Sequence, residues 1–250
     1  MPSFLSDNIE IAYEVHGAGD PVLLIHGFGS SGKVNWIDTG WVATLAEAGY
    51  QPITMDNRGH GASRKLYDPQ LYFAHDMALD AKRLLDHLEI PRAPVIGFSM
   101  GARIAAFLAL NHPECVSAAV WGGMGQNLIT GLEDSEEIVE ALTAESLSDV
   151  KGATGRTFRI FAEHTGADRA ALAACMVSSR EPMSEAQVRA IAVPVLVAVG
   201  SEDEMAGSPE VLTALLQQGE AFTIPRRDHM RSTGDPKFKA AALEFLARHR

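Results

Sequence analysis

Three polar side chains in this sequence are spaced for acyl chemistry. Ser99 sits in Gly97-Phe98-Ser99-Met100-Gly101, after an apolar run ending at Val95-Ile96 and before an Ala-rich stretch of helical period that stops at Asn111-His112-Pro113. A strand that turns into a helix within a couple of residues strains its apex residue and crowds it, and glycines on both sides relieve the crowding. The turn lifts the Ser99 hydroxyl beyond the sheet edge and aims the first N–H groups of the new helix at whatever binds there. A serine hydroxyl is a weak nucleophile near neutral pH and needs a base, and an imidazole base needs a carboxylate to fix its tautomer. His229, after the run Ala221–Ile224, and Asp203, after the run Val195–Val199, are in place to supply both. The chain order Ser, Asp, His fits the G-x-S-x-G elbow.

An oxyanion formed at Ser99 needs two further donors. His26-Gly27-Phe28-Gly29 follows the run Val22–Ile25, and its Gly-rich backbone can come close to a ligand, so the Phe28 and Met100 N–H groups are the expected pair. The segment from Asp56 to Ser63 follows Gln51–Met55, and its charged members are expected to pin their own loop. Gly122-Gly123-Met124 follows Ala118–Trp121 and holds no carboxylate, so the acid cannot come from there. Met124, Met205 and Met230 flank these loops and, with Phe28 and Met100, are expected to form an apolar substrate wall.

The elements that must position these residues alternate along the chain. The short apolar runs above are separated by helical patterns at Trp41–Ala48, Phe73–Leu88, Met100–Leu110, Pro209–Gln217 and Lys237–Arg248. Such alternation predicts an α/β fold, with a mostly parallel central sheet covered by helices on both faces and ligands bound beyond the carboxyl ends of its strands. The N-terminus, alternating apolar and polar residues around Asp7-Asn8, reads as a hairpin. Residues 124–190 break the alternation, with helical patterns and no convincing strand. The expected division is a core of 1–123 and 191–250 and a helical cap of 124–190. In that cap the acidic residues Glu133, Asp134, Glu136, Glu137 and Glu140 are expected to form a solvated face, charges continue from Arg156 to Arg169, and Ala170–Val177 offers the one extended small, apolar face.

At 250 residues with 46% hydrophobic content, the chain can bury a large core as one domain with an insertion. Cys115 and Cys175 stand in apolar surroundings without metal or redox spacing and read as buried thiols of a reducing compartment. A net charge of −11 with scattered basic residues argues against nucleic acid as a partner. The N-terminus lacks the basic start and apolar block of a signal peptide, and no apolar stretch reaches transmembrane length, so a cytoplasmic location without membrane association is expected.

HGFG, DNRGHGAS, GFSMG, GSEDE and DHM, spread over nearly the whole chain outside the cap, resemble the α/β-hydrolase superfamily. The resemblance implies a serine-nucleophile, esterase-like member with a Ser99-His229-Asp203 triad and an oxyanion hole at Phe28 and Met100, acting on a small molecule with neither metal nor cofactor. Related dehalogenases and epoxide hydrolases carry an aspartate nucleophile, which this chain lacks. It departs from many relatives at Ala102, after the elbow, and at Asp228, before the histidine, where glycine is common. The expected reaction is hydrolysis of a small to medium carboxylic ester through an acyl-enzyme on Ser99. The same triad also serves lactone opening and carbon–carbon cleavage of vinylogous diketones, and a hydrolase-fold receptor that holds a ligand with slow turnover is the reading from another class. A histidine base implies turnover that falls on acidification.

Overall fold

The computed structural model describes residues 1–131 and 135–250. Their strands join one sheet in the order β1-β2-β4-β3-β5-β6-β7-β8. The hairpin of β1 (Ser3–Ser6) and β2 (Ile9–Val15) turns at Asp7 and Asn8, both left-handed at φ 50° and 64°, as a two-residue turn of matching twist requires. β2 then pairs antiparallel with β4 (Tyr50–Met55). β3 (Asp20–Ile25), β5 (Ala93–Phe98), β6 (Val116–Gly122), β7 (Val195–Gly200) and β8 (Gly219–Ile224) run parallel with β4.

The central strands read as near-continuous apolar runs because both sheet faces are covered. Alternate residues separate cleanly. Leu23, Ile25, Val95, Ala119, Trp121, Val195 and Val197 point into a core shared with α2 (Ala74–His87) and α3 (Met100–Asn111). Val22, Leu24, Ile96, Val120 and Leu196 point the other way, onto α1 (Trp41–Glu47) and the C-terminal helix, where Trp36, Trp41, Phe238 and Phe245 are buried.

Between β6 and β7 lie α4 (Asn127–Thr130), α5 (Ser135–Thr143), α6 (Ala153–Thr165), α7 (Arg169–Ser178) and α8 (Glu185–Ala190). Of the acidic residues expected to be solvated, Glu133 and Asp134 lie outside the described residues, and Glu136 and Glu140 are exposed. Glu137 is not simply solvated: it is half-buried and accepts the Gly155 N–H at 2.7 Å, satisfying a free donor in the first turn of α6. Arg159 is buried as well, its guanidinium bonded to the Ala141 and Ala144 carbonyls and to Glu163. Beyond β7 come α9 (Pro209–Thr213), α10 (His229–Ser232) and α11 (Pro236–Arg248). α9 ends four residues before the expected Gln217, because the chain tightens into i→i+3 bonds at Leu215 and Leu216 to enter β8. The turn at Lys33–Ile37 escapes the sequence pattern and winds with an Asp38 N–H to Lys33 carbonyl bond at 2.9 Å. No helix among the described residues is long and apolar enough to cross a membrane.

Candidate active site

Ser99 stands at the junction of β5 and α3 with φ 53° and ψ −115°, a strained conformation for a residue with a side chain. Both flanking glycines are required by space. A Cβ on Gly97 would lie 2.3 Å from the Gly101 carbonyl oxygen, and one on Gly101 would lie 2.0 Å from that of Ile25. The Ser99 N–H is tied to the Gly122 carbonyl at 2.8 Å, which extends the β5–β6 pairing and fixes the elbow to the sheet.

The loops after β7 and β8 complete the arrangement. Asp203 Oδ1 accepts the Met205 and Ala206 N–H groups, each at 3.0 Å, so Oδ2 is left to face His229 Nδ1 at 2.8 Å. The Asp203 side chain is wholly buried and that of His229 is 11% exposed. With a carboxylate on Nδ1, the proton sits there and the Nε2 lone pair faces the Ser99 hydroxyl, 3.0 Å away. Asp228, adjacent to the histidine, is occupied elsewhere: it caps α10, accepting the Arg231 N–H at 2.8 Å. The structure thus brings Ser99, His229 and Asp203 into one hydrogen-bonded line and leaves Asp228 out of it.

The loop after β3 is braced by neutral groups. His26 is fully buried; its Nδ1 donates to the Gly27 carbonyl at 2.7 Å while Nε2 accepts the Asn57 N–H at 3.0 Å. Burial lowers the His26 pKa, keeping this bridge uncharged. Asn35 Oδ1 holds the Gly27 N–H at 3.1 Å. The Phe28 and Met100 N–H groups have no protein acceptor among the described residues. The loop from Asp56 to Ser63 does pin itself and its neighbours: Asp56 accepts the Gly32 and Ala62 N–H groups at 2.7 Å, Ser63 donates to the Asp56 carbonyl, and Arg58 forms a buried pair with Asp80 at 2.7 Å. His60, also buried, donates from Nδ1 to the Arg58 carbonyl; desolvation, aided by His26, pushes its pKa down to about 3.

A cavity of about 230 Å³ opens beside Ser99 and His229. Its walls are mainly Phe28, Val34, Phe98, Phe158, Phe161 and the pair Met205 and Met230. Among the described lining residues there is no lysine, arginine or carboxylate. Met205 and Met230 therefore stand where the sequence suggested, but Met124 does not. The left-handed Gly123 (φ 60°) turns the chain away from the site, and Met124 is buried in the core with its sulfur 4.0 Å from Arg103 Nη2. The Met100 side chain also faces inward, with Sδ 3.8 Å from Cys175 Sγ, so only its N–H is near the site. Sequence reasoning missed Val34, Asn35, Thr157, Phe158 and Phe161 on the lining. Phe158 and Phe161, three apart on α6, were the available signal, but such spacing equally describes a core-facing stripe. Both cysteines are free and buried, and burial pushes Cys115 up to about 11 and Cys175 up to about 12.

Residues 20–124, which hold the braced loop and the elbow, match a family model described as alpha/beta hydrolase fold. The whole chain superposes on a hydrolase from Pseudomonas aeruginosa PA01 with a TM-score of 0.81 and 24% identity, covering 98% of this chain and 97% of that one. The chain has the α/β-hydrolase fold. Among curated proteins, this chain is 43% identical over 112 residues to a Mycobacterium tuberculosis H37Rv protein provisionally named non-heme bromoperoxidase BpoC. That alignment spans 45% of this chain and 41% of the relative. A longer alignment, 27% identical over 96% of this chain and 88% of the relative, is to the 2-hydroxy-6-oxo-6-(2'-aminophenyl)hexa-2,4-dienoic acid hydrolase of Metapseudomonas resinovorans.

Proposed function

We propose that this protein is a serine hydrolase that cleaves small to medium, neutral carboxylic esters through an acyl-enzyme on Ser99. The observation that carries the reading is the unbroken line from Asp203 Oδ2 to His229 and from His229 Nε2 to Ser99 Oγ, at 2.8 and 3.0 Å, at the mouth of an apolar cavity. In this reading His229 takes the Ser99 proton as Oγ attacks the ester carbonyl, and the Phe28 and Met100 N–H groups receive the oxyanion. Collapse expels the alcohol with the proton from His229. Water then repeats the sequence on the acyl group, releasing the acid and restoring Ser99. Residues 124–190 serve as the cap, with α6 forming one cavity wall.

Carbon–carbon cleavage is the second reading, favoured by the near full-length likeness to the dienoic acid hydrolase. That relative's substrate is an acid, and burying its carboxylate in a low-dielectric pocket calls for a cationic partner. The lining offers no such side chain among the described residues, which favours the neutral ester. A series of nitrophenyl esters from acetyl to long-chain acyl groups, assayed with wild type and Ser99→Ala beside a vinylogous 1,5-diketone acid, separates the two. Ester turnover that vanishes in Ser99→Ala is expected; rapid cleavage of the diketone acid with no ester turnover would overturn the reading.

A further inference from the structure

The loop carrying the Phe28 N–H is held from two sides. The core side is His26 and Asn35, which fix the Gly27 peptide. The other side belongs to the inserted helices. α6 brings Phe158, Phe161 and Thr165 to one face at helical spacings of three and four. The Thr165 hydroxyl donates to the Gly29 carbonyl at 2.9 Å, with its own helix carbonyls of Phe161 and Ala162 slightly farther at 3.0 and 3.2 Å. Phe161 Cδ1 lies 3.3 Å from where a Cβ on Gly29 would stand. The Phe28 ring meets Phe158 edge-on at 5.8 Å and His60 at 5.8 Å, and Arg180, just past α7, places its guanidinium carbon 5.5 Å over the same ring.

Gly29 holds φ 70°, so the loop turns there through a residue with no side chain to lock its dihedrals. The Ser30 N–H closes the turn on the Gly27 carbonyl at 3.3 Å, and what grips the Gly29 peptide from outside sets its orientation further. Phe158 and Phe161 line the cavity as well as pressing on Phe28 and Gly29, so the same helix face touches the occupant and the loop.

We propose that Thr165 is a positioning residue for the oxyanion loop: through its bond to the Gly29 carbonyl, the α6 helix that contacts the acyl group also sets the Phe28 donor. This rests on the serine-hydrolase reading of the site. A donor aimed at the oxyanion acts on the transition state more than on the bound ester, so Thr165 affects kcat rather than KM.

Thr165→Val keeps shape and removes the donor, whereas Thr165→Ser keeps the donor. Thr165→Val is expected to lower kcat by about three- to tenfold, the size of one neutral hydrogen bond, with KM within about twofold of wild type. Binding of a trifluoromethyl ketone, which forms a hemiketal oxyanion on Ser99, falls by the same factor, and binding of the product alcohol does not. Thr165→Ser recovers both. Amide hydrogen exchange over residues 27–30 of the unliganded protein is faster in Thr165→Val than in wild type and Thr165→Ser. Exchange and kcat both unchanged in Thr165→Val, or losses that Thr165→Ser shares, would overturn the proposal. Faster exchange in a protein that turns over no ester supports the grip of Thr165 on the loop and removes the hydrolase reading alone.

Discussion

Asparagine at position 203 separates a catalytic carboxylate from a structural one. Asp203 accepts three hydrogen bonds, two from the Met205 and Ala206 N–H groups on Oδ1 and one from His229 on Oδ2. An asparagine has one oxygen for these three donors. If its oxygen stays with the two backbone groups, its NH₂ faces His229 Nδ1 and forces the imidazole proton onto Nε2, where it points at Ser99 instead of accepting from it. If the amide flips, two N–H groups meet an NH₂ in a fully buried site, which costs about 1–3 kcal/mol for each donor left unpaired. The first arrangement is the cheaper, and it presents the wrong tautomer. Loss of the base by this route lowers kcat by about 10⁴, or about 5.5 kcal/mol of transition-state stabilisation. Asp228→Asn is the control. Asparagine caps helices as well as aspartate does, so the α10 cap survives and activity stays within about twofold. Steady-state kcat/KM on a short nitrophenyl ester, with melting curves for each variant, reads both. Asp203→Asn within tenfold of wild type, or equal losses in the two variants, would refute the reasoning.

Ser99→Ala should reduce ester turnover by about 10⁴ or more with little change in melting temperature, because the elbow strain is carried by the backbone and the hydroxyl adds little packing; retention of a tenth of the activity would place the nucleophile elsewhere. His60, held neutral with a pKa of about 3, binds a proton in the unfolded chain near pH 6.5 before it can in the folded one, so stability is full above about pH 6.5 and falls towards pH 3. His60→Gln should flatten the dependence of unfolding free energy on pH by up to about 1.4 kcal/mol per unit between about pH 6 and 4 in denaturant titrations, and an unchanged slope would contradict this. The cavity, at about 230 Å³, is smaller than the roughly 300–1,000 Å³ of drug-sized pockets, so acetyl to hexanoyl esters should outpace long chains. Phe161→Ala should move the optimum in the same ester series to longer acyl groups, and an optimum that stays put would show that α6 does not bound the acyl site.

The candidate site was legible because its signals are local. A strand end, a tight Gly-flanked turn and a helix start occupy adjacent residues, so Ser99 could be placed from its neighbours, and the loops after β7 and β8 located Asp203 and His229 in the same way. The hairpin at Asp7-Asn8 and the parallel strands likewise follow from short-range patterns. What failed depended on packing between distant segments. Ala170–Val177 read as the one extended apolar face of the insertion, yet Ala171 to Met176 is buried and α7 packs against α5, while α6 supplies the cavity wall. Met124 shares its sequence setting with Met205 and Met230, and a single left-handed glycine before it decides that it faces the core. What Asp228 does instead, capping α10, shows only once the following helix is seen.

In the proposed function, the loops at the strand ends carry the reaction and the helices between β6 and β7 shape the substrate cavity. The polar groups of the core loops are largely committed to each other: Asp56 to Gly32 and Ala62, Arg58 to Asp80, His26 to Gly27 and Asn57. A buried polar group already satisfied gains little by turning to a ligand. In the proposed reading, what the core leaves for the substrate is Ser99, His229 and the N–H groups of Phe28 and Met100, which suit any small carbonyl compound. Discrimination then falls to apolar surfaces, where one methylene changes binding by only about 1–3 kcal/mol and shape does most of the selecting. Those surfaces come from Val34, Met205 and Met230 at the loop edges and from Phe158 and Phe161 on α6. Sequence change on α6 can therefore redirect the substrate without disturbing the hydrogen bonds of the triad, except at Thr165, where the helix that shapes the cavity also grips the loop beneath it.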